Sequence, residues 1–286
     1  MNELRIITLT ENTAPSPAKK NLIAEWGLSF LLKAEDCNIL FDAGRSISAY
    51  YNAQMLGINL NTIDKIVLSH SHPDHTGGLR QILERINKKD KIEIFAHPDV
   101  WKKRFNCNND NNCKYAGIPF SKDELEGLGA EFSLSKEPVI IAKNMLTTGE
   151  IPMKTDFEQV DSGNKKRLIL YNGEYVDDFI LDDQAIIYKS EKGLVVIAGC
   201  AHRGIINTVL HAQNVTAIKD VFAVIGGSHL VDSNNERIVN TMKALEELKV
   251  KKIGLCHCTG FKALSMLYNM FPDQFITVNA GTEILF

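Results

Sequence analysis

The chain has no run of apolar residues approaching the length of a membrane span, which argues against an integral helical membrane protein. It also lacks a basic excess. Its 32 Lys and Arg are outnumbered by 35 Asp and Glu, and there is no basic arm to engage phosphates. A net charge of −3 gives no general pull towards nucleic acid or an anionic membrane. No short-period repeat and no linker divides the sequence. The first residues lack a signal-peptide pattern and lead into a strand-like run, so a cytoplasmic protein is expected. Cysteine is scarce, and its spacing completes no four-thiolate site. Cys37, Cys200, Cys256 and Cys258 lie in or beside strand-like runs, where a reduced thiol acts as a small hydrophobe. Cys107 and Cys113 bracket a polar loop. A disulfide or a second metal site would fit that spacing, but two free thiols suit the expected compartment better. What remains is an ordinary globular composition, 44% hydrophobic and 23% charged, over 286 residues.

The most informative segment is His70-Ser71-His72-Pro73-Asp74-His75. Four side chains of ligand type fall within six positions. Ile63-Asp64-Lys65-Ile66-Val67-Leu68, a buried-strand pattern, runs straight into them, and a helical pattern follows Thr76-Gly77-Gly78. Three imidazoles and a carboxylate on a loop at a strand end suit zinc, iron or manganese rather than calcium or magnesium. Pro73 stiffens the loop by fixing φ. A histidine-rich surface tract would sit in low-complexity sequence, and this motif does not.

Three further histidines also follow apolar strand patterns. Gly199-Cys200-Ala201-His202 follows Val195–Ala198, Gly226-Gly227-Ser228-His229 follows residues 221–225, and His257 follows residues 253–256. Six of eight histidines therefore sit at strand ends, with His97 and His211 the exceptions. Strand patterns alternate with helical ones twice along the chain. Two sheets face to face with helices outside satisfy that order, an αββα sandwich of mixed α/β class. Asn172-Gly173 between apolar runs predicts a hairpin over residues 167–179. Residues 98–144 read as a small α+β insertion near the active-site edge, either a lid or extra packing. Ser121 and Glu124 form a capping pattern within it. Residues 275–278 read as the closing strand.

The histidine motif resembles the signature of the metallo-β-lactamase superfamily. Ile39-Leu40-Phe41-Asp42-Ala43-Gly44 is similar to that superfamily's upstream Asp-Gly element. Thr147-Thr148-Gly149-Glu150-Ile151-Pro152, Asp182-Asp183-Gln184-Ala185, Gly199-Cys200-Ala201-His202-Arg203-Gly204, Gly226-Gly227-Ser228-His229-Leu230 and His257-Cys258-Thr259-Gly260 resemble its dihydropteroate-synthase-like branch. That branch includes archaeal dihydropterin-methyl-(ribofuranosyl)aminobenzene-phosphate synthases and metal-dependent hydrolases. The resemblance implies the αββα fold and two divalent metals, zinc by preference, with iron or manganese as alternatives.

On that pattern His70 and His72 would ligate a first metal, and Asp74, His75 and His257 a second. The chain departs from the pattern in two places. Cys200 stands where an aspartate normally bridges the metals, and Glu150 stands near the place of the usual third histidine. His202 is expected to supply the missing ligand, with Glu150 and Cys200 as alternatives. Asp183 or Asp42 would orient a ligating histidine. His229 is expected to act as general acid or substrate contact, alongside Asp74 as the second catalytic residue. The expected function is hydrolysis of a small anionic ester, a phosphoester by preference, with metals that acidify a bridging water and neutralise a leaving phosphate. The alternatives are a pterin synthase-like transferase, in which an aryl amine displaces diphosphate, and a metal-containing ligand sensor without turnover. Neither nucleic acid nor membrane is an expected partner.

Overall fold

The computed structural model describes residues 3–15, 21–86, 91–108, 112–160 and 166–286. In chain order the elements begin β1 (Arg5–Thr10), β2 (Ser29–Lys33), β3 (Asn38–Phe41), α1 (Ser48–Leu56), β4 (Lys65–Val67), α2 (Pro73–Thr76), α3 (Leu79–Arg85) and β5 (Ile92–Ala96). They continue with β6 (Arg104–Cys107), β7 (Cys113–Tyr115), α4 (Lys122–Gly127), β8 (Ala130–Leu134), β9 (Ile140–Ala142) and β10 (Met145–Thr147). Next come β11 (Lys166–Tyr171), β12 (Glu174–Asp177), β13 (Ala185–Ser190), β14 (Gly193–Ala198) and α5 (Ile205–Thr216). The last are β15 (Val221–Gly227), α6 (Asn235–Glu247), β16 (Lys252–Cys256), α7 (Gly260–Met270) and β17 (Glu283–Leu285).

One sheet has the order β17-β1-β2-β3-β4-β5-β8, and a second has β16-β15-β14-β13-β10-β9. Period-two alternation splits each strand between two cores. Phe30, Leu32, Ile39 and Phe41 from the first sheet meet Ile186, Val195, Ile197 and Ile225 from the second. The intervening Leu31 and Leu40 face outward onto Ala49, Ala53, Leu79 and Ile82 of α1 and α3. Val196, Val224 and Leu255 face outward onto Ile206 and Val209 of α5, Ile238 of α6 and Leu267 of α7. Strands buried on both faces read as unbroken apolar runs, as Leu194–Ala198 does. The four layers are helix, sheet, sheet, helix, as the alternation of patterns predicts.

The segment 98–144 is not one inserted unit. Its strands are shared among three sheets. β8 extends the first sheet by parallel pairing with β5, and β9 caps the second sheet. β6 and β7 join β11 and β12 in a separate four-stranded antiparallel sheet, order β12-β11-β6-β7. Pairing between residues 104–107 and 166–169 carries no local signature, so the hairpin at Asn172-Gly173 is legible while its partner strands are not. Within this sheet Cys107 lies opposite Cys113, and the two form a disulfide. That corrects the expectation of free thiols, which rested on compartment rather than geometry. The closing strand is β17, paired with β1, whereas Phe275 makes only an isolated bridge to Ile253. Among the described residues no helix is long and apolar enough to cross a membrane.

Candidate metal centre

The parallel strands β3, β4, β14, β15 and β16 end at one edge of the sandwich, and each leads into a polar residue there. β3 leads to Asp42, β4 to His70, β14 to Cys200 and His202, β15 to His229, and β16 to His257. Ligands in open sheets collect beyond such carboxyl ends. The turns are tight. Asp42, Ala201, His229 and His257 all have positive φ, between 49° and 59°. Left-handed backbone at four non-glycine residues around one point marks a functional constraint. Gly199 must be glycine, since an added Cβ would lie 2.1 Å from Ser69 Oγ.

Three ring nitrogens form a nearly equilateral triangle. His70 Nε2 lies 2.9 Å from His72 Nδ1, His72 Nδ1 lies 3.1 Å from His202 Nε2, and His202 Nε2 lies 3.2 Å from His70 Nε2. Metal–nitrogen bonds of about 2.0–2.1 Å in tetrahedral geometry put ligand nitrogens roughly 3.3 Å apart. Asp74, His75 and His257 form a second group, with ligand atoms all within 4.8 Å of one another. The structure therefore brings together all six residues expected as ligands, and His202 is among them. Glu150 is not. It faces His97 at 3.4 Å and belongs to none of the convergent groups among the described residues. Cys200 does lie in the cluster, with its sulfur 3.0 Å from His75 Nε2.

The surroundings set the tautomers of His70 and His75. Asp42 is fully buried and accepts from the Ser69 backbone N–H and hydroxyl, each at 2.7 Å. It also accepts from His75 Nδ1 at 2.6 Å. His70 Nδ1 lies 2.9 Å from the Ser69 hydroxyl, which is already donating to Asp42, so Nδ1 donates and Nε2 is left to face the centre. One carboxylate thus orients a histidine of each group, as partners of metal ligands do. Asp183 does not share this role. It accepts from the Arg203 backbone N–H at 2.9 Å, and burial pushes its carboxyl up to about 7. Asp182 braces the histidine loop by accepting from Ser71 N–H at 2.9 Å, and is paired with the buried Arg104 of β6.

His257 is held from the N-terminal segment. Its backbone N–H donates to Glu11 at 2.9 Å, and its Nδ1 donates to Asn12 Oδ1 at 2.9 Å. The loop after β1 reaches the site through Asn12. Its residues 16–20 lie outside the described residues. The Trp26 indole N–H donates to Asp74 Oδ2 at 3.0 Å, and His257 Nε2 lies 3.5 Å from the same oxygen.

The donor set fits divalent metal. His257 Nε2 is buried with no hydrogen-bond partner. Burial, followed by the neighbouring histidines, holds His70 and His202 well below the usual imidazole range, in the neutral form a metal requires. Burial opposes charge on His75 too, but the Asp42 carboxylate outweighs it and lifts that ring to about 9. Burial alone would raise Asp74, yet His257, His75 and His72 hold it below the usual carboxylate range.

Two residues beside the centre complete it. The His229 ring packs 4.2 Å from that of His202, and its backbone N–H donates to Cys258 Sγ at 3.3 Å. Arg167 Nη2 lies 2.9 Å from His229 Nε2, so the guanidinium donates and Nε2 accepts. Arg167 and Trp26 are the contributors that sequence reasoning missed. An arginine in a β-hairpin of a remote sheet has no sequence signal that distinguishes it from a surface residue.

The histidines cluster at one edge of a four-layer sandwich. The chain belongs to the metallo-beta-lactamase superfamily, which residues 27–139 match. It is 39% identical over 294 residues to the 7,8-dihydropterin-6-methyl-4-(beta-D-ribofuranosyl)-aminobenzene-5'-phosphate synthase of Methanocaldococcus jannaschii, covering 100% of this chain and 98% of that protein. An uncharacterised protein of the same archaeon is 33% identical over 282 residues, covering 96% and 98%. Among solved structures, a metal-dependent hydrolase of the beta-lactamase superfamily superposes with a TM-score of 0.80 at 26% identity, covering 98% of both chains.

Proposed function

We propose that the protein is a metal-dependent hydrolase of a small phosphoester. The observation that carries this reading is the pair of adjacent ligand groups, His70-His72-His202 and Asp74-His75-His257, with a cation, Arg167, at their rim. A pair of divalent ions held by these residues, zinc by preference, supplies Lewis acidity and acidifies water. The side chains do the rest. Asp74, ionised and 15% exposed, accepts a hydrogen bond from an entering water and orients it. Arg167 attracts the substrate phosphate, for which a planar guanidinium is suited. As the phosphate draws Arg167 away, His229 Nε2 loses its donor, takes up a proton from solvent and passes it to the leaving oxygen.

A second reading is favoured by the full-length identity to the archaeal synthase. In it the same site holds a leaving diphosphate while an aryl amine replaces water as nucleophile. One assay separates the two. Metal-replete protein is given alkyl and aryl phosphoesters, then a dihydropterin methyl diphosphate with and without an aryl amine. Phosphate release without amine is expected. A product formed only with the amine would transfer the assignment to the synthase class. Tight pterin binding with no turnover of anything would make the protein a sensor.

Arg167→Ala is expected to raise KM for a phosphomonoester on the order of tenfold to a hundredfold, the scale of one charge-assisted hydrogen bond. The effect on kcat should be smaller, and Arg167→Lys should restore part of the loss. An unchanged KM would remove Arg167 from the substrate site.

A further inference from the structure

Cys200 occupies a position in the cluster that no other side chain shares. Its sulfur lies within 4.8 Å of the ligand nitrogens of His70 and His75 in one group, of His202 and His229 in another, and of His257 and Cys258 in a third. It thereby reaches both proposed ligand groups. Asp74 is grouped only with His75 and His257, and His72 only with His70 and His202; His70 and His75 meet across the two groups, but each has one nitrogen committed to Ser69 or Asp42 and only one left for a metal. We infer that Cys200 is a bridging thiolate ligand between the two metal ions. This rests on the two-metal reading of the site.

Charge supports the assignment. Five neutral imidazoles and one carboxylate would set a single negative charge against two dications. Two dications held close together in a buried site would repel, and a shared protein anion would offset that repulsion alongside any hydroxide. Asp42 cannot serve, because both its oxygens are committed to Ser69 and His75. Cys258 is less well placed. Its sulfur accepts from His229 N–H, faces the Cys200 carbonyl at 3.5 Å, and enters only one of the groups. Cys200 is the buried thiol that reaches both ligand groups. On ligation its S–H bond breaks, the proton passes to solvent and two sulfur–metal bonds form. A soft bridging ligand also narrows the metal. It favours zinc or iron over manganese or magnesium.

The backbone is built around this sulfur. Gly199 allows the turn to pass against Ser69. An added Cβ at Gly227 would lie 2.7 Å from Cys258 Sγ and 3.1 Å from the Cys200 Cα. Gly199 thus brings the end of β14 against the loop after β4, and Gly227 brings β15 against the end of β14, which together place Cys200 between the histidine groups.

The test is spectroscopic. Purified protein is stripped of metal and titrated with cobalt(II), with bound metal counted and the near-ultraviolet sulfur-to-cobalt charge-transfer band recorded. Wild type is expected to bind two ions and show the band. Cys258→Ser should keep both ions and the band. Cys200→Asp should keep two ions, because a carboxylate can bridge, and lose the band. X-ray absorption of the wild-type zinc protein needs no variant, and one sulfur per zinc at about 2.3 Å is expected. Half a sulfur per zinc would make the thiolate terminal and overturn the bridge. Two bound ions without the band, or a band that survives Cys200→Asp, would overturn Cys200 as ligand while leaving the two-metal site standing. A wild-type protein that binds no cobalt would refute the metal reading itself, and this inference with it.

Discussion

Asp74→Ala is expected to lower turnover by more than about a hundredfold and to reduce bound metal from two ions to one. Removing mere hydrogen-bond partners of metal ligands already costs about ten- to a hundredfold in affinity or activity, and removing a ligand should cost more. Asp74 is the one carboxylate in the second group, where it faces His257 at 3.5 Å and accepts from Trp26. Its loss leaves His257 without a carboxylate beside it, whereas His75 keeps Asp42. The fold should survive. The sandwich is held by apolar residues between and outside the sheets, and the backbone carbonyl of Asp74 that receives Leu28 N–H is retained in alanine. Circular dichroism of the variant and of metal-free wild type should match that of the loaded protein. Unfolding of either would make the centre structural and would weaken the catalytic reading.

His229→Ala should leave metal content unchanged and lower kcat by about a hundredfold or more, the scale of a positioned proton donor. The geometry sets a condition on this. With Arg167 donating to Nε2 at 2.9 Å, the ring cannot carry a proton on that nitrogen in the free protein. It gains one only if substrate draws the guanidinium away. The defect should therefore be large on an alkyl phosphoester and small on a nitrophenyl one, whose leaving group needs no protonation. Equal losses on both would assign His229 to substrate contact. Metal loss would make it a ligand, in keeping with its place beside Cys200 and His202. An Arg167→Ala, His229→Ala double variant should lose less than the product of the single losses, because the two side chains act through each other.

Much of the site was legible because its residues follow strands. A polar residue at a strand's carboxyl end is marked by the apolar run before it; the six residues expected as ligands lie on such loops, and their expected roles came from the resemblance. Partners across the fold were not marked. Asp42 and Asp183 are both aspartates beside strands, and only packing shows that Asp42 meets His75 while Asp183 meets the Arg203 backbone. Glu150 occupies a motif position near the usual ligand, yet its side chain turns to His97. Cys107 and Cys113 look like two thiols until β6 and β7 set them opposite each other.

The order of residues by itself marked most of the strands and helices, the layered sandwich and the six residues that converge at the sheet edge. Alternation, helical spacing and a stiff histidine loop are properties of neighbouring residues, and local physics suffices to read them. Tertiary structure decided the four-stranded sheet, the carboxylate that orients His70 and His75, the arginine at the rim and the central place of Cys200. Those depend on contacts such as Arg167 with His229 and Cys200 with His75, which lie 62 and 125 positions apart. No periodicity encodes such pairs. They form only when two sheets pack face to face and bring their strand ends to a single edge.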